Sequence, residues 1–187
     1  KCHPFAIWSG FVACISGFLQ SYAATVIAGA LLFISKEFGL TPGQEGLTAS
    51  IILLGALFGS ISTGYLADRF GRRAVLLFSA LLYAASSLPV LFISSFPTLL
   101  MLRFVTGIAA GITSLSCPLY LAEIASPTKR GAFVGSYQLS VTFGIVIAYL
   151  INLDFADQGN WRLMLSCTAI PAIFQTVALF FIPESPK

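Results

Sequence analysis

Apolar residues fill six long stretches of this chain, and most of the charged residues lie in the short links between them. A helix needs about 20 mostly apolar residues to cross a bilayer. Strands are excluded because the stretches are too long and because an open sheet in lipid would leave backbone groups unsatisfied. We therefore predict an all-α membrane protein with six transmembrane helices. They run near residues 6–34, 47–66, 74–94, 98–121, 131–153 and 161–182.

Composition agrees with a membrane protein and excludes several functional classes. Only 9% of the residues are charged, against roughly 25% in an ordinary soluble domain. No run of basic residues indicates nucleic-acid binding. The predicted helices contain no acidic residue and no histidine, so an intramembrane enzyme is excluded. The four cysteines show no metal-binding spacing, and we expect neither a metal nor an organic cofactor.

The basic residues in the links predict the orientation in the membrane. Five of them lie after the second and fourth helices, whereas the links after the first, third and fifth carry two. Basic residues collect on the cytoplasmic side, so the links after the second and fourth helices and both termini are predicted to be cytoplasmic. The five are Arg69, Arg72, Arg73, Lys129 and Arg130, and the two are Lys36 and Arg162.

Three of the predicted helices carry polar or small residues along one face. Such residues in a membrane normally face a protein interior or a watery cavity. The alternative is that they only join helices, at about 0.6 kcal/mol each. Three helices sharing such faces favour a solvated cavity. The polar residues are Gln20, Ser21, Tyr22 and Thr25 in the first helix, Arg103, Thr106, Thr113 and Ser114 in the fourth, and Gln138, Thr142, Tyr149 and Asn152 in the fifth.

Small residues also recur at a spacing that lets helices approach closely. Gly55 and Gly59 lie one turn apart in the second helix, as do Gly107 and Gly111 in the fourth. The third and sixth helices are almost purely apolar, and we expect them to be peripheral.

Acidic residues accompany the arginines in the cytoplasmic links, which topology alone does not require. The sequence is GYLADRFGRR at residues 64–73, PLYLAE at 118–123, RG at 130–131 and PESPK at 183–187. The first segment resembles the signature of the major facilitator superfamily. The others resemble the sugar porter branch, which has Arg as the final residue where this chain has Lys187. The resemblance covers the whole chain but only the first of the family's two six-helix halves.

This resemblance implies one half of a major facilitator fold, a 3+3 inverted repeat, in a transporter that works by alternating access. Residues 1–187 would be its amino-terminal six-helix domain. We expect a sugar as substrate, a bilayer around the helices and a second six-helix half as partner, and we expect no transport by this segment alone. The resemblance also implies a cytoplasmic gate made of Asp68, Arg69, Arg72, Arg73, Glu123, Arg130 and Glu184.

Arg103 lies about five residues into the fourth predicted helix, roughly 8 Å deep at the helical rise. A guanidinium at that depth costs at least a few kcal/mol unless it is paired, hydrated or extended to the surface. In the proton-coupled sugar porters that this chain resembles, an aspartate on the first helix contacts this arginine, and Ala23 occupies that position here. This difference favours facilitated diffusion. The alternatives are a proton symporter with its acid in the second half, or a transporter-like sugar sensor.

The resemblance also gives candidates for sugar binding. Gln138 matches the glutamine of the fifth helix that bonds sugar hydroxyls in the family, and its amide both donates and accepts hydrogen bonds. Gln20 offers a second amide, although Gln20 and Ser21 depart from the family's usual Phe-Gly. Arg103, Tyr22 and Thr142 complete the predicted substrate-binding set.

Overall fold

The computed structural model describes residues 4–156 and 159–181, with side chains from residue 10 onward. Within these ranges every regular element is helical. The helices are α1 (Pro4–Thr25), α2 (Ile27–Phe38), α3 (Pro42–Phe70), α4 (Arg72–Ser87), a 3-10 helix (Leu88–Phe92), α5 (Phe96–Ile124), α6 (Arg130–Asp154), α7 (Trp161–Ser166) and α8 (Ala169–Phe180).

These helices form six membrane spans, which confirms the predicted number. α1 continues into α2 through Val26, which is itself helical, and together they make the first span. α3 is the second span, α4 with the 3-10 helix the third, α5 the fourth and α6 the fifth. α7 and α8 form the sixth, since Cys167 and Thr168 between them keep helical dihedral angles.

The second span shows how helix ends follow from local chemistry. Thr41 and Gln44 form a capping box, so α3 begins at Pro42, before the apolar stretch. α3 ends at Phe70, because the next residue, Gly71, has a φ of 87°, which favours glycine and leaves the helix. The helix is therefore 29 residues long and carries Asp68 and Arg69 in its last turn.

The second and fourth spans pack with their backbones in contact. A Cβ atom built on Gly55 would lie 2.2 Å from the Phe104 oxygen, and one on Gly107 would lie 2.2 Å from the Ile52 oxygen. Gly59 and Gly111 lie equally close to the facing helix. The predicted close approach is confirmed, and it fixes the register between α3 and α5.

Burial differs between the spans in a way that composition did not predict. The second and fifth spans are the least buried, at 28% and 17%, against 44% to 50% for the others. α4 and α8 pack against each other and bury Tyr83 and Gln175. The third and sixth spans are thus more enclosed within this half than expected, although α8 exposes an apolar face that includes Ile170, Phe174 and Val177.

Candidate functional site

Arg103 is buried on the inner face of α5, with 4% of its surface exposed. Its Nη1 atom donates a hydrogen bond to the backbone oxygen of Ala23, 2.9 Å away. The structure thus brings Arg103 to position 23, although residue 23 offers only a carbonyl. Nε and Nη2 of Arg103 have no hydrogen-bond partner among the described residues. Extension of the side chain to the surface is excluded because the guanidinium is enclosed.

A cavity of about 20 Å³ adjoins this arginine. Its walls come from the first, third, fourth and sixth spans. They include Ala23, Ser86, Thr106 and Thr168 as well as Arg103. The volume is enough for one water-sized species and far too small for a sugar. Arg103 is therefore shut off from any sugar-sized space in this conformation of the half.

A polar patch on α1 and α6 collects three of the predicted sugar-binding residues. The Tyr137 hydroxyl donates a hydrogen bond to Oε1 of half-buried Gln20. Gln138, next along α6, is exposed, and Thr142 one turn further donates to the Gln138 backbone oxygen at 3.1 Å. The amide group of Gln138 remains accessible from outside this half. We call Gln20, Tyr137, Gln138 and Thr142 the polar patch.

Tyr22 lies apart from the polar patch. Its side chain is buried, and its hydroxyl donates to the Met164 oxygen in α7 at 2.8 Å. It therefore ties the first span to the sixth. Sequence reasoning missed Tyr137, although it lies three and seven residues before Ser140 and Gly144, on the small-residue face of α6.

Charged residues at one end of the bundle form ion pairs across three spans. Nε of Arg72 lies 3.2 Å from Oε1 of Glu123, and Nη2 of Arg72 lies 3.7 Å from Oδ1 of Asp68. Arg72 begins α4, Glu123 lies in the last turn of α5 and Asp68 lies in the last turn of α3. We call these three residues the charge cluster. Surface ion pairs of this kind contribute at most about 1 kcal/mol each, so they can break and reform.

The other predicted gate residues make different contacts. Arg73 donates to the backbone oxygens of Leu179 and Phe180 at the end of α8, at 2.8 and 2.9 Å. Arg130 donates to the Ala122 oxygen at 3.0 Å. These arginines satisfy carbonyls at helix ends, where cations are favourable.

Two further gate residues stand apart from the charge cluster. Arg69 donates to the Tyr65 hydroxyl at 2.7 Å and lies over the rings of Tyr65 and Phe70. Its contacts stay on its own helix. Glu184 lies outside the described residues.

A second charged group lies at the opposite end of the bundle, and sequence reasoning missed it. Glu37 at the end of α2 accepts hydrogen bonds from Arg162 and from the Trp161 ring nitrogen, each at 2.6 Å. Arg162 also donates to the Ile93 oxygen at 2.9 Å. The first, third and sixth spans are thus joined at one point. The available signal was one acid at the end of the first span and one base at the start of the sixth, because these two span ends lie at the same end of the bundle.

These six spans define a multi-pass integral membrane protein, and the family that the chain matches places it in the transporter class. The chain belongs to the "Sugar (and other) transporter" family, whose model matches residues 9–187. The resemblance to the amino-terminal half of a major facilitator sugar porter is thereby confirmed, and it is a family of transporters rather than enzymes.

Individual relatives agree with this assignment. The chain is 40% identical over 181 residues to the putative metabolite transport protein YwtG of Bacillus subtilis. This alignment covers 97% of this chain and 40% of that protein. It is 41% identical over 175 residues to the arabinose-proton symporter of Escherichia coli, covering 94% of this chain and 37% of the symporter. The chain therefore spans less than half the length of these relatives.

A solved structure shares the fold. The proton:xylose symporter XylE, bound to 6-bromo-6-deoxy-D-glucose, superposes with a TM-score of 0.91 at 25% identity. The superposition covers 100% of this chain and 46% of XylE. The six-span arrangement is therefore that of one half of a solved transporter.

Proposed function

We propose that this chain forms the amino-terminal half of a transporter that moves a sugar across a membrane by alternating access. The observation that carries the proposal is the match to the sugar transporter family over residues 9–187. A second six-helix half is the proposed partner, because the second and fifth spans are the least buried in this half. The 187-residue chain by itself is expected not to transport.

The polar patch is the proposed contribution of this half to sugar binding. Gln138 is exposed, and its amide donates and accepts hydrogen bonds as a polyol requires. Gln20 and Thr142 lie beside it, linked through Tyr137 and through the α6 backbone. Tyr22 and Arg103 are buried, so in this conformation they support the site rather than touch the sugar.

For the energy source, the relatives correct the preference for facilitated diffusion. Two of the three proteins compared above are named proton symporters, which favours proton symport. Because Ala23 carries no carboxylate, we assign the proton-binding acid to the second half. Facilitated diffusion is the second candidate, and the specific observation in its favour is that Arg103 pairs with the Ala23 carbonyl.

The charge cluster is the proposed cytoplasmic gate. Its ion pairs connect α3, α4 and α5, and Arg73 adds the end of α8. The positive residues at this end support a cytoplasmic location for it and for both termini of the half. The Glu37–Arg162 pair would then lie on the outer side.

The test is uptake of a labelled panel of pentoses and hexoses by the full-length protein in proteoliposomes, with and without an inward proton gradient. Accumulation of one sugar only with the gradient supports symport. Saturable uptake that is indifferent to the gradient supports facilitated diffusion. Absence of uptake for every sugar in the panel, by protein shown to be folded, would contradict sugar transport.

A further inference from the structure

The guanidinium of Arg103 lacks a negative partner among the described residues. Only Nη1 is hydrogen bonded, to the neutral Ala23 carbonyl, while Nε and Nη2 have no partner. These two nitrogens form one edge of the guanidinium, the edge that binds two acceptor positions at once. An enclosed charge without compensation costs several kcal/mol. A negative group at this edge would remove that cost.

No acid within residues 4–156 and 159–181 supplies that group. None of the ion pairs within the described residues includes Arg103. The acidic residues of the six spans all lie near the span ends. They are Glu37, Glu45, Asp68, Glu123 and Asp154.

An acid of another domain is also poorly placed to reach this arginine. Arg103 is only 4% exposed in this half alone, so a side chain packed against the outside has almost no surface of it to contact. The compensating group must therefore be small enough to enter the cavity beside Arg103.

The surrounding hydroxyls are neutral and already donate within the chain. Ser86 and Ser87 both donate to the Tyr83 oxygen, at 3.1 and 2.6 Å. Thr168 donates to the Leu165 oxygen at 2.9 Å. Arg103 thus supplies the strong unused donors of this cavity.

The cavity is the right size for one small ion. Its volume is about 20 Å³, which admits a single water-sized species. Ala23 forms part of its wall and has only a methyl side chain. We propose that the cavity binds one halide-sized monovalent anion, chloride in a cell, held by Nε and Nη2 of Arg103. A water would fill the same volume but would leave the charge uncompensated.

The proposal is tested by thermal unfolding of the full-length protein in chloride, bromide or gluconate at constant ionic strength. Gluconate is too large for the cavity. We expect the melting temperature to rise saturably with either halide, by about 5 °C at a hundredfold excess over the dissociation constant. Crystals soaked in bromide should show an anomalous peak against Nε and Nη2 of Arg103.

Substitutions of Ala23 provide matched controls. Ala23→Asp supplies a carboxylate and fills the space, so stability should become independent of halide and stay high in gluconate. Ala23→Asn has the same size without the charge, and should be halide-independent but less stable. Ala23→Ser leaves most of the cavity and should retain the halide response.

Two results would overturn the anion site. The first is equal stability of the unsubstituted protein in halide and gluconate together with no anomalous peak, which would leave a water as the occupant. The second is a halide response that persists undiminished in a folded Ala23→Asp protein. Because these measurements involve no sugar, they are independent of the transport proposal.

Discussion

Gly55 and Gly107 face each other across the contact between α3 and α5 with no room for a side chain. A Cβ atom on Gly55 would lie 2.9 Å from the Gly107 Cα, and one on Gly107 would lie 3.0 Å from the Gly55 Cα. The nearest obstacles are backbone atoms, which cannot turn away as a side chain can. The pair therefore holds the second span against the fourth.

Replacing Gly55 by alanine should destabilise the protein by about 1–3 kcal/mol, because the added methyl group forces the two backbones apart. Thermal unfolding in detergent measures the effect. Gly64 is a matched control in the same helix, since a Cβ there meets nothing within 4 Å. Gly64→Ala should be neutral or slightly stabilising, and equal losses from both substitutions would contradict the packing argument.

Gln138→Ala should raise the KM for sugar roughly tenfold, which corresponds to the loss of about 1.4 kcal/mol of hydrogen bonding. Uptake kinetics of the full-length protein provide the measurement. Leu139 is the control, because it is exposed on the same helix but has no polar group. If Leu139→Ala changed KM as much as Gln138→Ala, the polar patch would not be the sugar-binding surface.

The charge cluster predicts a shift between the two openings of the transporter. Glu123→Gln removes the charge that Arg72 contacts at 3.2 Å. The state with a closed cytoplasmic side should therefore be destabilised by about 1 kcal/mol or less. Labelling of cysteines introduced at the cytoplasmic side should become several-fold faster. Arg69→Gln is the control, since Arg69 contacts Tyr65 on its own helix. Unchanged labelling in Glu123→Gln would argue against a gate.

The Glu37–Arg162 pair predicts a stability effect at the other end. Glu37→Gln should cost about 1 kcal/mol, because both side chains are partly exposed and solvent screens their attraction. Thermal unfolding at low and high salt measures this cost. We expect a smaller difference in stability between Glu37→Gln and the unsubstituted protein at high salt, where the attraction is screened. Lys36→Gln, at the exposed neighbouring position, should have little effect. A salt-independent loss in Glu37→Gln would show that the charge is not responsible.

Much of the fold was predictable because hydropathy is a local property. A stretch of about 20 apolar residues spans a bilayer whatever its neighbours are, so six spans could be counted directly. The glycine spacing likewise predicted close helix contact, since only small side chains permit it. The burial of the third and sixth spans was predicted less well, because apolar composition does not distinguish a lipid-facing surface from a helix-facing one.

The sequence by itself determined the number of spans and the family signature. It also determined that most of the arginines lie in the links after the second and fourth spans, at one end of the bundle. Only the tertiary structure decided which distant side chains meet. It paired Tyr137 with Gln20 and Glu37 with Arg162, whereas the resemblance already placed position 23 beside Arg103. These contacts join spans far apart in the chain and depend on how each helix is rotated about its axis. That rotation is set by packing against all neighbouring helices at once, which no local pattern of residues specifies.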